Sequence, residues 1–166
     1  KRPPDPIRGG IPVCWPYFAK QGQPADAPMH GFVRTMQWQV THAQQNPDGE
    51  IVLALAPPLV PDVPMNLMLT MRIGRALEQA LTTVNLSAET VRFTQALHTY
   101  FRVADADRGH VTGLDGLTYA DKFDDFNEHA QSGNWDLHDA RDPGRSDRIY
   151  MDAGNTFELI DPAGHR

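Results

Sequence analysis

Proline and glycine interrupt this chain so often that no long helix has room to form. Fourteen prolines and thirteen glycines fall among 166 residues. Inside a helix each proline removes a backbone hydrogen bond and clashes with the preceding turn. The stretches left between them have the length of strands, and several alternate apolar and polar side chains with the period of a half-buried strand. Phe32 to Val40 is such a stretch, with Phe32, Met36, Trp38 and Val40 mostly on one face. Asn46-Pro47-Asp48-Gly49 is a turn signal in which glycine supplies a positive φ. Glu50 to Ala56 then reads as the returning strand of a hairpin. Pro57 to Pro64 is expected to be a surface connection, because proline cannot donate to a sheet ladder.

Leu67 to Ile73 alternates again, with Leu67, Leu69, Met71 and Ile73 inward. Gly74-Arg75 turns the chain into Ala76 to Leu86. That segment holds good helix formers, yet its helical face is short and Thr82-Thr83-Val84 favours a strand; a strand is expected. Val91 to Val103 predicts a further long strand, with Leu97 on one face and His98, Tyr100 and Arg102 on the other. Short strands are expected at His110–Thr112 and Leu117–Tyr119, a long polar loop over 122–148, and a last pair of strands at Arg148–Met151 and Thr156–Ile160. No internal repeat is visible. Many short strands with turn signals argue for an all-β sandwich or barrel, and 166 residues fit one domain.

A formal charge of −6 argues against a general nucleic-acid surface, whose footprint would be a basic stripe. It leaves room for a local cationic pocket. The single cysteine, Cys14, can form no intrachain disulfide, which fits a reducing, cytoplasmic setting. No apolar stretch approaches the roughly 20 residues of a membrane span. Lys1-Arg2-Pro3-Pro4 has no apolar segment behind it and does not read as a signal peptide.

Three places carry side chains suited to chemistry. His98 lies on the polar face of its strand, where an imidazole can exchange protons near neutral pH; the same position would suit a sheet histidine bonded to a neighbour. His30-Gly31 sets a ring beside a backbone that can be closely approached, or is a turn glycine with an incidental histidine. Arg8-Gly9-Gly10 offers a planar donor fork on an accessible backbone, suited to a phosphate or carboxylate, or is a Gly-Gly turn with a surface arginine. It lacks the spacing of a nucleotide-binding loop. His129, Asp136, His138, Asp139 and Asp142 match no recognised metal spacing. Cys14 and Trp15 lie in an apolar run, Ile11 to Phe18, that reads as core.

The order of these motifs is more specific than any one of them. Ile7-Arg8-Gly9-Gly10-Ile11-Pro12-Val13-Cys14-Trp15-Pro16, then His30-Gly31-Phe32-Val33-Arg34 with Trp38, then Leu97-His98-Thr99-Tyr100-Phe101, then Tyr119-Ala120-Asp121-Lys122 resembles the hexose-6-phosphate mutarotases, the glucose-6-phosphate 1-epimerases of the aldose 1-epimerase superfamily. The match runs from about Arg8 to Asp161.

The resemblance implies a galactose-mutarotase-like β-sandwich, incomplete relative to the family. It also implies interconversion of the α and β anomers of a hexose 6-phosphate, without metal or organic cofactor. It makes His98 the acid that protonates the ring oxygen. His30 and Asp121 would hold sugar hydroxyls or support that transfer, and Arg8 and Arg34 would bind the phosphate. The family's general base is a glutamate near its C-terminus, beyond the matching part of this chain. The 166 residues are therefore expected to be the central part of such an enzyme, with little or no mutarotase activity by themselves. Two other readings stay open: a catalytically silent module that binds a sugar phosphate, and a metal-dependent β-barrel using His30, His98 and Asp121.

Overall fold

The computed structural model describes residues 8–20, 22–138 and 144–164. The Lys1-Arg2-Pro3-Pro4 segment, Ile7, Asp139 and Asp142 lie outside the described residues. The chain falls into two compact units, Lys1–Tyr100 and Phe101–Arg166, and the regular secondary structure of its described residues is nearly all β, as the alternation required.

The first unit contains β1 (Val13–Cys14), β2 (Gln39–Gln45), β3 (Ile51–Ala56), β4 (Met65–Ile73), β5 (Leu77–Asn85) and β6 (Ala96–Leu97). Strands β2 to β5 form an antiparallel meander in sequence order. Its first turn is Asn46–Gly49, where Gly49 takes φ +89° and donates to the Asn46 carbonyl at 2.9 Å. Register then decides which side chains share a face. Leu55 stands opposite Leu69, and Leu69 opposite Leu81, so one face of the sheet is an apolar row. Its Pro64 end packs into the core, where Met65, Leu67 and Leu69 meet Val13, Trp15, Val33 and Val60. At the far end Ile73 is exposed, so the expected inward set Leu67, Leu69, Met71 and Ile73 is buried only at its start.

Trp15 is 1% exposed, and its indole N–H donates to Thr83 Oγ1 at 3.0 Å. The Thr83 hydroxyl in turn donates to Gln95 Oε1 at 2.9 Å. The largest core side chain is thus tied to β5 by its only polar side-chain atom, the usual arrangement for a buried tryptophan.

Two expected strands of this unit are corrected. Over Phe32 to Val40 the chain makes a 3-10 turn at Val33–Thr35 before β2 begins at Gln39. Met36 N–H and the Trp38 indole both donate to the Val33 carbonyl. A strand would send Phe32 and Val33 to opposite faces. The turn instead buries Val33 completely, packs Phe32 against the same core and leaves Arg34 outside.

Over Val91 to Val103 only Ala96–Leu97 is a regular strand, paired with β1. The ladder nevertheless continues on one side, because Thr94, His98 and Tyr100 donate to the carbonyls of Pro16, Pro12 and Gly10. A complete antiparallel pair exchanges two bonds. Pro12 and Pro16 have no N–H to return, so the ladder is one-sided at both positions.

The second unit contains β7 (His110–Thr112), β8 (Thr118–Asp121), β9 (Asn127–Ala130), β10 (Trp135–Asp136), β11 (Arg148–Tyr150) and β12 (Glu158–Ile160). They form two sheets, β10-β7-β12 and β11-β8-β9. The expected loop over 122–148 is therefore corrected, since it contains a 3-10 turn at Lys122–Asp124 and strands β9 and β10. Left-handed backbone at Asp125 and Phe126 reverses the chain tightly enough for β9 to pair with β8. Its polar, largely exposed residues conceal that strand. The last two strands do not pair with each other either, as β11 joins β8 and β12 joins β7.

Gln131, 5% exposed, holds this unit's polar interior. Its Oε1 accepts from Arg148 and from the Tyr150 hydroxyl, and its Nε2 donates to nearby carbonyls. No helix among the described residues is long and apolar enough to cross a membrane.

Candidate active site

The one-sided ladder decides which side chains reach the site. Leu97 packs against the core, so the His98 side chain emerges on the other side of the strand pair, because neighbouring side chains point to opposite faces. The bond from Tyr100 N–H to the Gly10 carbonyl, 3.0 Å, carries the pairing on toward Arg8. Gly9 at φ +146° and Gly10 at φ +72° supply backbone that other residues rarely adopt.

The 3-10 turn brings the other half. Gly31 sits at φ +78° with its backbone pressed on Trp15, where a Cβ would lie 1.9 Å from the Trp15 carbonyl oxygen. Only glycine fits. Phe32 N–H donates to that same oxygen at 3.0 Å. This contact holds His30 on one side and Arg34 on the other, and the Arg34 guanidinium is anchored by the Met29 carbonyl at 2.6 Å.

The result is a cavity of about 330 Å³ lined by Arg8, Pro12, Met29, His30, Arg34, His98 and Tyr100. The His30 and His98 rings lie edge to face with centroids 5.9 Å apart, and Tyr100 is 5.1 Å from His98. Two permanent cations, two imidazoles and a phenol thus share one recess. Such a set can bind an anionic oxygen group through the arginines while offering proton exchange beside it.

Cys14 in β1 has no exposed surface. Burial pushes its thiol above the ordinary value of 9.0, and the nearby Arg34 guanidinium pulls it only partly back. A buried thiol held protonated is a poor nucleophile, so Cys14 is core, as its apolar run indicated. Burial also raises the Tyr17 phenol above its ordinary 10.0.

Of the five residues singled out from the sequence, four meet here: Arg8, His30, Arg34 and His98. Asp121 belongs to the second unit. There it is 3% exposed and accepts from the Phe123 N–H at 2.8 Å, capping the 3-10 turn. Sequence reasoning missed Ala19, whose N–H and carbonyl both bond His30. It also missed Pro12 and Pro16, although paired prolines in a core strand were a visible signal of an incomplete ladder.

The second unit has its own cavity of about 410 Å³, lined by apolar side chains including Phe101, Val111, Trp135, Phe157 and Leu159. It offers no acid, base or fixed charge. Among the described residues, no three His, Cys, Asp or Glu side chains gather as a metal site. His129 instead pairs with Asp124 at 2.6 Å, and His138 bonds the Asp107 carbonyl.

Residues 2–165 match the aldose 1-epimerase family. The chain belongs to that family. A protein of Escherichia coli K12 named "Putative glucose-6-phosphate 1-epimerase" is 32% identical over 96% of this chain and 53% of its own length. One of the same name from Salmonella typhimurium LT2 is 29% identical over 87% of this chain and 48% of its own. The chain thus spans about half the length of these relatives. Among solved structures, a crystal structure described as "a putative mutarotase (YeaD)" from Salmonella typhimurium superposes with a TM-score of 0.78. It is 27% identical and covers 93% of this chain and 51% of that one. The fold is that of the mutarotases.

Proposed function

We propose that this chain carries the sugar-phosphate site of a mutarotase that interconverts the α and β anomers of a hexose 6-phosphate. The observation that supports this most is the gathering of Arg8, Arg34, His30 and His98 around one recess. An unphosphorylated sugar needs no pair of guanidinium groups, whereas a phosphate is matched by their forked donors. The relatives named for glucose 6-phosphate agree with that reading.

In the reaction the ring oxygen gains a proton while the anomeric hydroxyl loses one. The ring opens to an aldehyde, turns about one bond and recloses on its other face. His98, exposed on the ladder's outer side, is the acid for the ring oxygen and recovers its proton on closure. Arg8 and Arg34 hold the phosphate and so fix the distance from C6 to His98, which lowers the entropic cost of the step. His30 holds a sugar hydroxyl. The partner base is a carboxylate that the family resemblance assigns outside these residues. A cytoplasmic setting suits the free, buried Cys14.

One observation favours a second reading. No carboxylate lines the cavity among the described residues, so a silent sugar-phosphate-binding module would look the same there. Exchange NMR on α-glucose 6-phosphate with the polypeptide carrying this chain separates the two. The enzyme equilibrates the anomers well above the buffer rate, and His98→Asn slows it by about 100-fold or more. Binding without acceleration establishes the module. Arg8→Ala and Arg34→Ala should raise KM for glucose 6-phosphate by about tenfold or more and barely change it for glucose. Equal effects on both sugars would remove the phosphate assignment.

A further inference from the structure

The two histidines of the cavity are held very differently. The Ala19 N–H donates to His30 Nδ1 at 3.0 Å, and the His30 N–H donates back to the Ala19 carbonyl at 3.0 Å. Both residues are in the left-handed region, Ala19 at φ +56° and His30 at φ +66°. Alanine gains nothing locally from that conformation, so the surrounding structure imposes it. The Gly31–Trp15 contact fixes the backbone on one side. The Phe18 ring, 4.7 Å away, packs on the imidazole from another. Rotation of the ring would break the Ala19 bond and lose the Phe18 contact together.

A neutral imidazole has one donor nitrogen and one acceptor nitrogen. Nδ1 is the acceptor here, so the ring proton sits on Nε2. A proton on Nδ1 and the Ala19 bond exclude each other, since two N–H groups would then face each other. His98 lacks any such tether. Its backbone N–H bonds the Pro12 carbonyl, but among the described residues no hydrogen bond fixes its ring. Either of its nitrogens can carry the proton.

We propose that the Ala19 backbone holds His30 as the Nε2–H tautomer, making it a fixed hydrogen-bond donor to a sugar oxygen and leaving proton exchange in this cavity to His98. Ala19 is then a positioning residue, acting through its main chain. That the acceptor is a sugar oxygen rests on the function proposed above; the tautomer and its cause do not. The division explains how two imidazoles whose centroids are 5.9 Å apart avoid competing for one proton. One is committed to donating, and the other cycles.

The test is the tautomer itself, read in the free protein. Long-range proton–nitrogen correlation on histidine-labelled protein is recorded at about pH 8, where an ordinary imidazole is neutral. His30 is assigned by its loss in His30→Gln. The expected pattern is a pyridine-like Nδ1 and a pyrrole-like Nε2. The opposite pattern, or averaged shifts for the two nitrogens, overturns the proposal. Ala19→Gly keeps the N–H and relaxes the backbone, so the pattern should survive it. Loss of the pattern there would overturn the role given to the main chain.

A ligand arm then reads the donor role. Gln at position 30 can place an amide N–H near the Nε2 position, and Asn cannot reach it. His30→Gln should bind glucose 6-phosphate within about threefold of the native protein, and His30→Asn about tenfold more weakly. Equal loss in both overturns the donor assignment. If the native protein shows the expected tautomer but binds no glucose 6-phosphate, the functional reading fails and the tautomer stands.

Discussion

The β2–β5 meander and the β1–β6 ladder are both antiparallel, and both contribute to the core of the first unit, but they are built on opposite terms. The meander joins neighbours in sequence through short turns, and nine consecutive residue pairs link β4 to β5. The ladder joins residues about 80 positions apart, has two regular pairs, and is one-sided wherever proline stands. The cavity residues belong to the ladder and to the irregular turn beside it. Complete hydrogen bonding gives a sheet whose side chains alternate and go nowhere else. Incomplete bonding, glycine and left-handed backbone let the chain aim Arg8, His30, Arg34 and His98 at one recess. Function sits where the regular pattern gives way, on a scaffold where it does not.

Glycine substitutions test this contrast most severely. Gly31→Ala puts a Cβ 1.9 Å from a backbone oxygen that cannot move without Trp15, so it should destabilise the protein by more than about 4 kcal/mol or prevent folding. Gly49→Ala in the meander turn meets open space at φ +89° and should cost about 1 kcal/mol in urea denaturation. Similar losses at both would erase the distinction.

A smaller effect separates stability from site geometry. Leu67→Ala empties a buried position of the meander and should cost about 3 kcal/mol, while the His30 and His98 ring resonances stay in place. A loss of stability under 1 kcal/mol would place that row outside the core. Thr83→Val strips the partner from the Trp15 indole and should cost about 1–2 kcal/mol, the penalty for an unsatisfied buried donor. No change on denaturation would mean the indole needs no partner.

The smallest effect is one of pH. Folding raises the Cys14 and Tyr17 groups above their ordinary 9.0 and 10.0. The folded state therefore holds these protons more tightly than the unfolded state does. Their contribution is fully present below pH 9 and falls as pH rises past the ordinary values. Denaturation midpoints should drop as pH rises past 9, and Cys14→Ala should flatten the first part of that drop. A profile steeper in the variant would contradict the sign.

The meander was legible because its alternation, its Asn-Pro-Asp-Gly turn and its Gly74 turn are all local signals. The cavity residues were legible as an ordered series of motifs, not as geometry. Alternation over Phe32 to Val40 hid the 3-10 turn, because one apolar row can be satisfied by a strand or by burial of Val33. The proline pair explains the short β6, yet its effect acts across the ladder and needs the partner to be known. In the second unit, β9 was invisible because Asn127-Glu128-His129-Ala130 is polar and largely exposed, so tertiary pairing alone makes it a strand. The Ala19–His30 bond was out of reach for the same reason, since nothing in an alanine announces a left-handed conformation.

The central claim is that the recess of Arg8, His30, Arg34 and His98 binds a hexose 6-phosphate through its phosphate. An NMR titration of the protein with glucose 6-phosphate, repeated with glucose and with Arg34→Ala, tests it directly. The predicted result is a set of shifts centred on those four residues and Tyr100, with binding about tenfold or more weaker when the phosphate or the Arg34 guanidinium is removed. Shifts centred instead on Trp135 and Phe157, or equal affinity for glucose and glucose 6-phosphate, would contradict it.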